Sequence, residues 1–129
     1  MNDNKEFFLV DDDLDDQEIF QIALDEIDPA INLVVANNGI EALQILKKDP
    51  NYIPDYIFLD INMPKMNGIQ CLPEIRKFEH LEKVPIIMYS TSSDINIINN
   101  IKKLGATEFL VKPTGLGTLI KNLEGILKR

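Results

Sequence analysis

Two hydrophobic periodicities take turns along this chain. Short continuous apolar runs occur at 6–10, 31–36, 56–59, 84–89 and 108–111. Each is too brief for a stable surface helix and reads as a strand buried on both faces. Between the runs, apolar residues recur three and four positions apart, the spacing that lines one face of a helix. Ile19, Phe20, Ala23, Leu24 and Ile27 predict a first helix, and Ile40, Leu43, Ile45 and Leu46 a second. Ile69, Leu72 and Ile75 mark a third; Ile97, Ile98, Ile101 and Leu104 a fourth; Leu116, Leu119, Ile120, Leu123 and Leu127 a fifth. Strict alternation of strand and helix implies a parallel sheet with helices on both faces.

Helix-breaking and capping residues fall in the same register. Pro29 and Pro50 follow the first and second helices, and Gly105 follows the fourth as a C-cap. Asn67 with Gln70 forms a capping pattern for the third helix, and Ser93 or Asp94 can cap the fourth. Pro73 sits inside the third helix, where its missing N–H and its ring should bend or delay regular structure.

The chain has 129 residues, which fits one domain spanning 1–129 and is too short for two. With 45% apolar and 26% charged residues it has the composition of a soluble globular protein. The net charge of −8 argues against direct nucleic-acid binding, although Lys102, Lys103, Lys112, Lys121, Lys128 and Arg129 could form a local basic face. Cys71 is the lone cysteine, so no internal disulfide forms. No apolar run is long enough to span a membrane and no signal-peptide pattern opens the chain, so a cytoplasmic location is expected.

The informative chemistry begins at the end of the first strand. Six carboxylates crowd into residues 11 to 18, directly after Phe7, Phe8, Leu9 and Val10. Like charges this close raise one another's pKa and repel unless a cation relieves them, and an oxygen-ligated divalent ion does so economically. Parallel α/β sheets bind ligands beyond the carboxyl ends of their strands. Asp11 and Asp12 end strand one, Asp60 strand three, Ser90 strand four and Lys112 strand five, so all fall on one edge.

Mg²⁺ takes carboxylate and carbonyl oxygens with waters and phosphate oxygens. Asp12 and Asp60 can supply direct oxygens, Asp11 can act through water, and the Asn62 carbonyl can complete the protein's share. Asp60 is also the best nucleophile for forming an aspartyl-phosphate. Phosphoryl transfer needs charge neutralisation and in-line placement, which the ion, Lys112 and the Ser90 hydroxyl can provide without a catalytic His. His80 lies in RKFEHLEKV and reads as an exposed connector residue; Asp13, Asp15, Asp16 and Glu18 read as solubilising residues that favour the positive end of helix one. Pro113 makes a cis Lys112–Pro113 bond accessible, which would aim the ammonium across the strand ends.

Several other motifs fail. A calcium loop beginning at Asp11 would have Asp16 in place of Gly at its sixth position and Ile22 in place of Glu at its twelfth. There is neither a Gly-rich phosphate loop nor a dinucleotide fingerprint after strand one.

In order, LVDDD, IFLDINMPKMNG, PIIMYS and FLVKP resemble the receiver domain of bacterial two-component response regulators, over essentially the whole chain. The resemblance implies a doubly wound, flavodoxin-like (βα)5 sheet of five strands in the order 2-1-3-4-5. It implies that Asp60 is the phosphoacceptor, Asp11 and Asp12 the acidic pair for Mg²⁺, Ser90 the hydroxyl position, Phe109 the aromatic switch and Lys112 the phosphate-sensing lysine. The implied donor is a phosphohistidine on a histidine kinase or histidine phosphotransfer protein, with small phosphodonors as substitutes. Phosphorylation would reshape the face of helix four, strand five and helix five for a downstream protein reader.

Two positions depart from the family pattern. Phe109 lacks the hydroxyl of the commoner Tyr, and Ser90 stands where Thr is commoner. Met88 is expected in the responding surface, Tyr89 there or, by the favoured reading, in packing, and Ser92 and Asn62 where they influence access of hydrolytic water. Dimerisation through helices four and five stays open. The Met1 start and short tail favour a stand-alone receiver over an excised fragment. The expected role is a switch and not an enzyme; the alternatives are a small phosphatase-like α/β enzyme and an interaction module that does not switch by phosphate.

Overall fold

A computed structural model describes residues 5–91 and 95–128. Five strands and five helices alternate in it. They are β1 (Glu6–Val10), α1 (Leu14–Ile27), β2 (Asn32–Ala36), α2 (Gly39–Lys48), β3 (Tyr56–Leu59), α3 (Gly68–Arg76), β4 (Ile86–Ser90), α4 (Ile95–Lys103), β5 (Glu108–Val111) and α5 (Leu116–Leu127), with a 3₁₀ turn at Glu79–Leu81 before β4. The sheet runs β2-β1-β3-β4-β5 with every pair parallel, the doubly wound order expected.

Strand alternation divides the core in two. Phe8, Val10, Ile57, Leu59, Ile86 and Met88 face α2, α3 and α4, packing with Ala42, Leu46, Leu72, Ile75 and Ile101. Phe7, Leu9, Phe58, Ile87 and Tyr89 face α1 and α5, packing with Phe20, Ala23, Leu24, Leu119 and Leu123. Burying one such side chain stabilises by roughly 1.5–3 kcal/mol.

The strands are not equally buried. β1, β3 and β4 are enclosed at almost every position, whereas β2 and β5 are only half-buried, because each is an edge with one neighbour. The fourth strand begins at Ile86 and not at Val84, since Pro85 has no N–H for the ladder. On the first and second helices, Ile19 and Ile40 lie outside the core and are exposed.

Asn67 and Gln70 form the expected capping box: Gln70 N–H donates to Asn67 Oδ1 at 2.8 Å and Asn67 N–H to Gln70 Oε1 at 3.1 Å. α3 continues through Pro73 to Arg76, so the proline costs the Ile69 carbonyl its helical partner without ending the helix. The Ser93 or Asp94 cap, Ser92, Met1 and Arg129 lie outside the described residues.

At the edge of the sheet where the strands begin, Arg76 joins two connections. Its Nε donates to Gly105 O at 2.9 Å, and its Nη1 to Leu81 O at 3.1 Å and Val84 O at 2.8 Å. Gly105 has φ +115°, a backbone favourable only for glycine, and a Cβ there would also lie 2.9 Å from Arg76 Cγ. Among the described residues no helix is long and apolar enough to cross a membrane.

Candidate functional site

At the opposite edge, Asp11, Asp60 and Lys112 each sit one position beyond a strand and Ser90 at the last position of one, and the backbone ladder still holds them. Asp11 N–H donates to Ala36 O at 3.0 Å, Asp60 N–H to Val10 O at 2.9 Å and Lys112 N–H to Ser90 O at 2.8 Å. Their Cα positions are therefore fixed by the sheet rather than by mobile loops. Gly68 permits the next layer of packing. Its N–H donates to Ile61 O at 2.9 Å, and a Cβ there would fall 2.3 Å from the Asp60 carbonyl oxygen. Only glycine lets the start of α3 press against the backbone that carries Asp60.

Oxygens of Asp11, Asp12 and Asp60 lie within 4.8 Å of one another. Around Mg²⁺, with Mg–O at about 2.0–2.1 Å, adjacent oxygens are about 3 Å apart and opposite ones about 4 Å, so a small ingathering makes this a ligand set. Exposed Asp12 can rotate inward, while Asp11 and Asp60 are almost fully buried. Three hard oxygens on one edge fit a hard divalent ion.

The buried carboxylates are anchored by local N–H groups. Asp11 Oδ1 accepts from Asp13 N–H at 2.9 Å, and Asp60 Oδ1 from Asn62 N–H at 3.2 Å. Burial raises the Asp11 pKa to about 6, against the pull of Lys112 and the hydrogen bond from Asp13 N–H. Burial likewise raises that of Asp60, with Lys112 opposing it.

Lys112 reaches all of this from the end of β5. Its Nζ lies 2.9 Å from Asp11 Oδ2, 3.1 Å from Asp60 Oδ2 and 2.8 Å from Asp16 Oδ2. The Asp11 contact is an ion pair whose angle falls short of hydrogen-bond geometry, leaving Asp11 Oδ2 a buried oxygen with no aligned donor. Such an oxygen is suited to a cation. The Tyr89 ring centroid is 5.2 Å from Nζ, within cation–π range. Burial alone would lower the Lys112 pKa, but the hydrogen bond to Asp16, the interactions with Asp11 and the charge of Asp60 raise it, so the side chain stays an ammonium.

Asp11, Asp12, Asp60 and Lys112 thus converge as expected. Ser90 is fully buried at the end of β4, and Phe109 is half-buried against the α2–α4 core. Asn62 is exposed directly after β3, its N–H turned to Asp60.

Four expectations need correction. Asp16 is not merely a solubilising residue, since it shares the ammonium of Lys112 from the first turn of α1. Asp13, by contrast, does cap that helix, accepting from Asp15 and Asp16 N–H. Met88 is buried and so belongs to no surface, and Tyr89 is buried in keeping with its packing reading, because β4 is a central strand covered on both faces. His80 is half-buried with its ring against Phe78, because the 3₁₀ turn folds it inward. The Lys112–Pro113 bond is trans, as the side chain spans the strand ends without help from the backbone.

One supporting residue escaped the sequence reading. Gln17 Nε2 donates to the Asp11 carbonyl at 2.6 Å and to Asn37 Oδ1 at 2.9 Å, tying α1 to the ends of β1 and β2. Its place as the one uncharged polar residue inside the acidic cluster was the only hint.

A family model described as "Response regulator receiver domain" matches residues 7–124. The chain is 38% identical over 122 residues to the transcriptional regulatory protein CpxR homolog of Haemophilus influenzae, covering 94% of this chain and 49% of that protein. It spans only 15% of the sensor histidine kinase CheAY of Helicobacter pylori, at 34% identity. Chemotaxis protein CheY-3 of Vibrio cholerae is 31% identical over 129 residues, covering 100% of this chain and 96% of that protein. Among solved structures, the phosphorylated cyanobacterial phytochrome response regulator RcpA superposes with a TM-score of 0.86 at 30% identity, covering 95% of this chain and 91% of that one. The Mn²⁺-bound form of response regulator Rcp1 superposes at 0.82 and 27%, with the same coverage.

Proposed function

This chain belongs to the response regulator receiver domain family, whose members are signalling switches rather than enzymes, and on that premise we propose that it is switched by phosphorylation of Asp60. The donor is a phosphohistidine on a histidine kinase or histidine phosphotransfer protein. An Asp60 carboxylate oxygen attacks the phosphorus, the P–N bond breaks, and the histidine leaves with the bonding pair and takes up a proton. Asp12, Asp60 and the Asn62 carbonyl, with Asp11 acting through water, would hold a Mg²⁺ ion, which would supply charge neutralisation for the phosphoryl oxygens.

The observation that carries this reading is the gathering of Lys112 Nζ, 3.1 Å from Asp60 Oδ2, with three carboxylates able to hold one ion. The ammonium stabilises the transferring group by charge, and the hydroxyl of Ser90, the last residue of β4, takes another of its oxygens. One of the similar structures is of a phosphorylated protein and another of a Mn²⁺-bound one, which supports the same chemistry here.

Phosphorylation adds charge and acceptor oxygens at the end of β3. Ser90 moves toward them, half-buried Phe109 turns inward into the space released, and the face of α4, β5 and α5 changes for a downstream protein reader.

Intact-mass analysis after acetyl phosphate and Mg²⁺ tests the assignment. The native chain should gain one labile phosphoryl group, Asp60→Asn none at that position, and Asp12→Asn far less than native. An undiminished adduct on Asp60→Asn would place the acceptor elsewhere.

A further inference from the structure

One of the three carboxylates around Lys112 stands outside the set able to hold the ion. Asp11 and Asp60 belong to the cation cluster, but Asp16 does not, although its contact with Nζ is the shortest of the three at 2.8 Å. Asp16 also differs in setting. Its side chain is 33% exposed, where those of Asp11 and Asp60 are 0% and 6% exposed. It comes from the first turn of α1, where Asp13 Oδ1 holds its N–H at 3.2 Å, and it crosses 96 residues of sequence to reach Lys112. The Tyr89 ring closes another side of the ammonium.

When a divalent ion takes the oxygens of Asp11 and Asp60, the ammonium loses its hold on two of its three carboxylates and is repelled by the incoming charge. Asp16 is the partner left to it. We infer that Asp16 is a positioning residue that keeps Lys112 at the mouth of the site while the cation occupies the other two carboxylates. Without Asp16 the ammonium settles more fully on Asp11 and Asp60 and competes there with the ion. In the phosphorylated state, the ammonium is then already within reach of the phosphoryl oxygens and does not have to be recruited from solvent. The inference rests on the receiver reading, and it concerns how Lys112 and the cation share the site.

The test is Mg²⁺ affinity by calorimetry on the full chain, without phosphodonor, for native protein, Asp16→Asn, Asp16→Glu, Lys112→Met and the double variant Asp16→Asn with Lys112→Met. Asp16 is partly exposed, so its substitutions should keep the native circular dichroism. Asp16→Asn is expected to weaken Mg²⁺ binding about fivefold, the scale of a partly exposed ion pair. Asp16→Glu, which keeps the charge, should restore most of the affinity. The discriminating readout is the Lys112→Met background. If Asp16 acts through the ammonium, removing it there changes nothing. If it acts merely as one more negative charge near the ion, the same loss persists.

Unchanged affinity in Asp16→Asn, or an equal loss in both backgrounds, overturns the inference. Native protein that binds no Mg²⁺ and forms no phosphoryl adduct on Asp60 overturns the receiver reading itself, a separate outcome.

Discussion

Replacing Asp11 with Asn is expected to stabilise the metal-free protein near neutral pH while abolishing its response to Mg²⁺. Burial moves this carboxyl from 3.8 to about 6, against the pull of Lys112 and Asp13 N–H. Between those values the folded chain holds a proton that the unfolded chain has released. Stability therefore falls as pH rises from about 4 to about 6 and stays reduced above that window. About two pKa units at about 1.4 kcal/mol each put the cost of ionised Asp11 at about 3 kcal/mol. Asn keeps an oxygen for Asp13 N–H but turns an amide toward Lys112, which leaves a gain of about 1–2 kcal/mol near neutral pH and none at about pH 4.

Urea unfolding with chelator, at both pH values and then with Mg²⁺ added, reads each part of this expectation. Native protein should be stabilised by Mg²⁺ near neutral pH, whereas Asp11→Asn should start higher and respond little. A metal-free Asp11→Asn variant less stable than native near neutral pH would refute the reasoning, because it would mean that pairing with Lys112 outweighs the burial of Asp11. The opposite result would identify the empty charge cluster as stability given up for ion binding.

Two further outcomes follow from backbone geometry. Lys65 has φ 67° in a turn closed by Met66 N–H to Pro64 O at 2.7 Å, so Lys65→Gly should relieve about 1–2 kcal/mol of left-handed strain, less the entropy of glycine, for a net gain of about 0.5–1 kcal/mol in thermal or urea unfolding; a loss of stability would show that the turn is not strained. Gly68→Ala places a Cβ against the Asp60 carbonyl and should cost about 1–3 kcal/mol while slowing phosphoryl uptake from acetyl phosphate, and native kinetics in that variant would show that the Asp60 backbone is not held by this contact.

The site's principal groups were legible because the sheet does the positioning. Once the strands are parallel, whatever ends them lies on one edge, and Asp11, Asp60, Ser90 and Lys112 each follow or close an apolar run. Asp16 was not legible. In the first turn of a helix an aspartate already has a local reason to be present, and its contact with Lys112 depends on how α1 lies over the end of β5, which no local pattern records. Met88 and Tyr89 could not be told from surface residues for a related reason. A strand apolar on both sides carries no alternation to separate core from surface, so a ring beneath the ammonium looks the same in sequence as one facing solvent. The half-buried edges β2 and β5 were obscured similarly, since edge position is a property of strand order and not of the strand.

Arg76 gives the molecule an asymmetry between its two ends. By gripping the Leu81, Val84 and Gly105 carbonyls it welds the far ends of α3, β4 and α4 into one block, while α4 itself fully buries only Ile101. Under the proposed switch, a push from the Ser90 end would tilt such a helix rather than slide it whole. Gly105 would be the fulcrum and α4 the lever arm, so a small shift beside Asp60 would be larger at Ile95 than at Lys103.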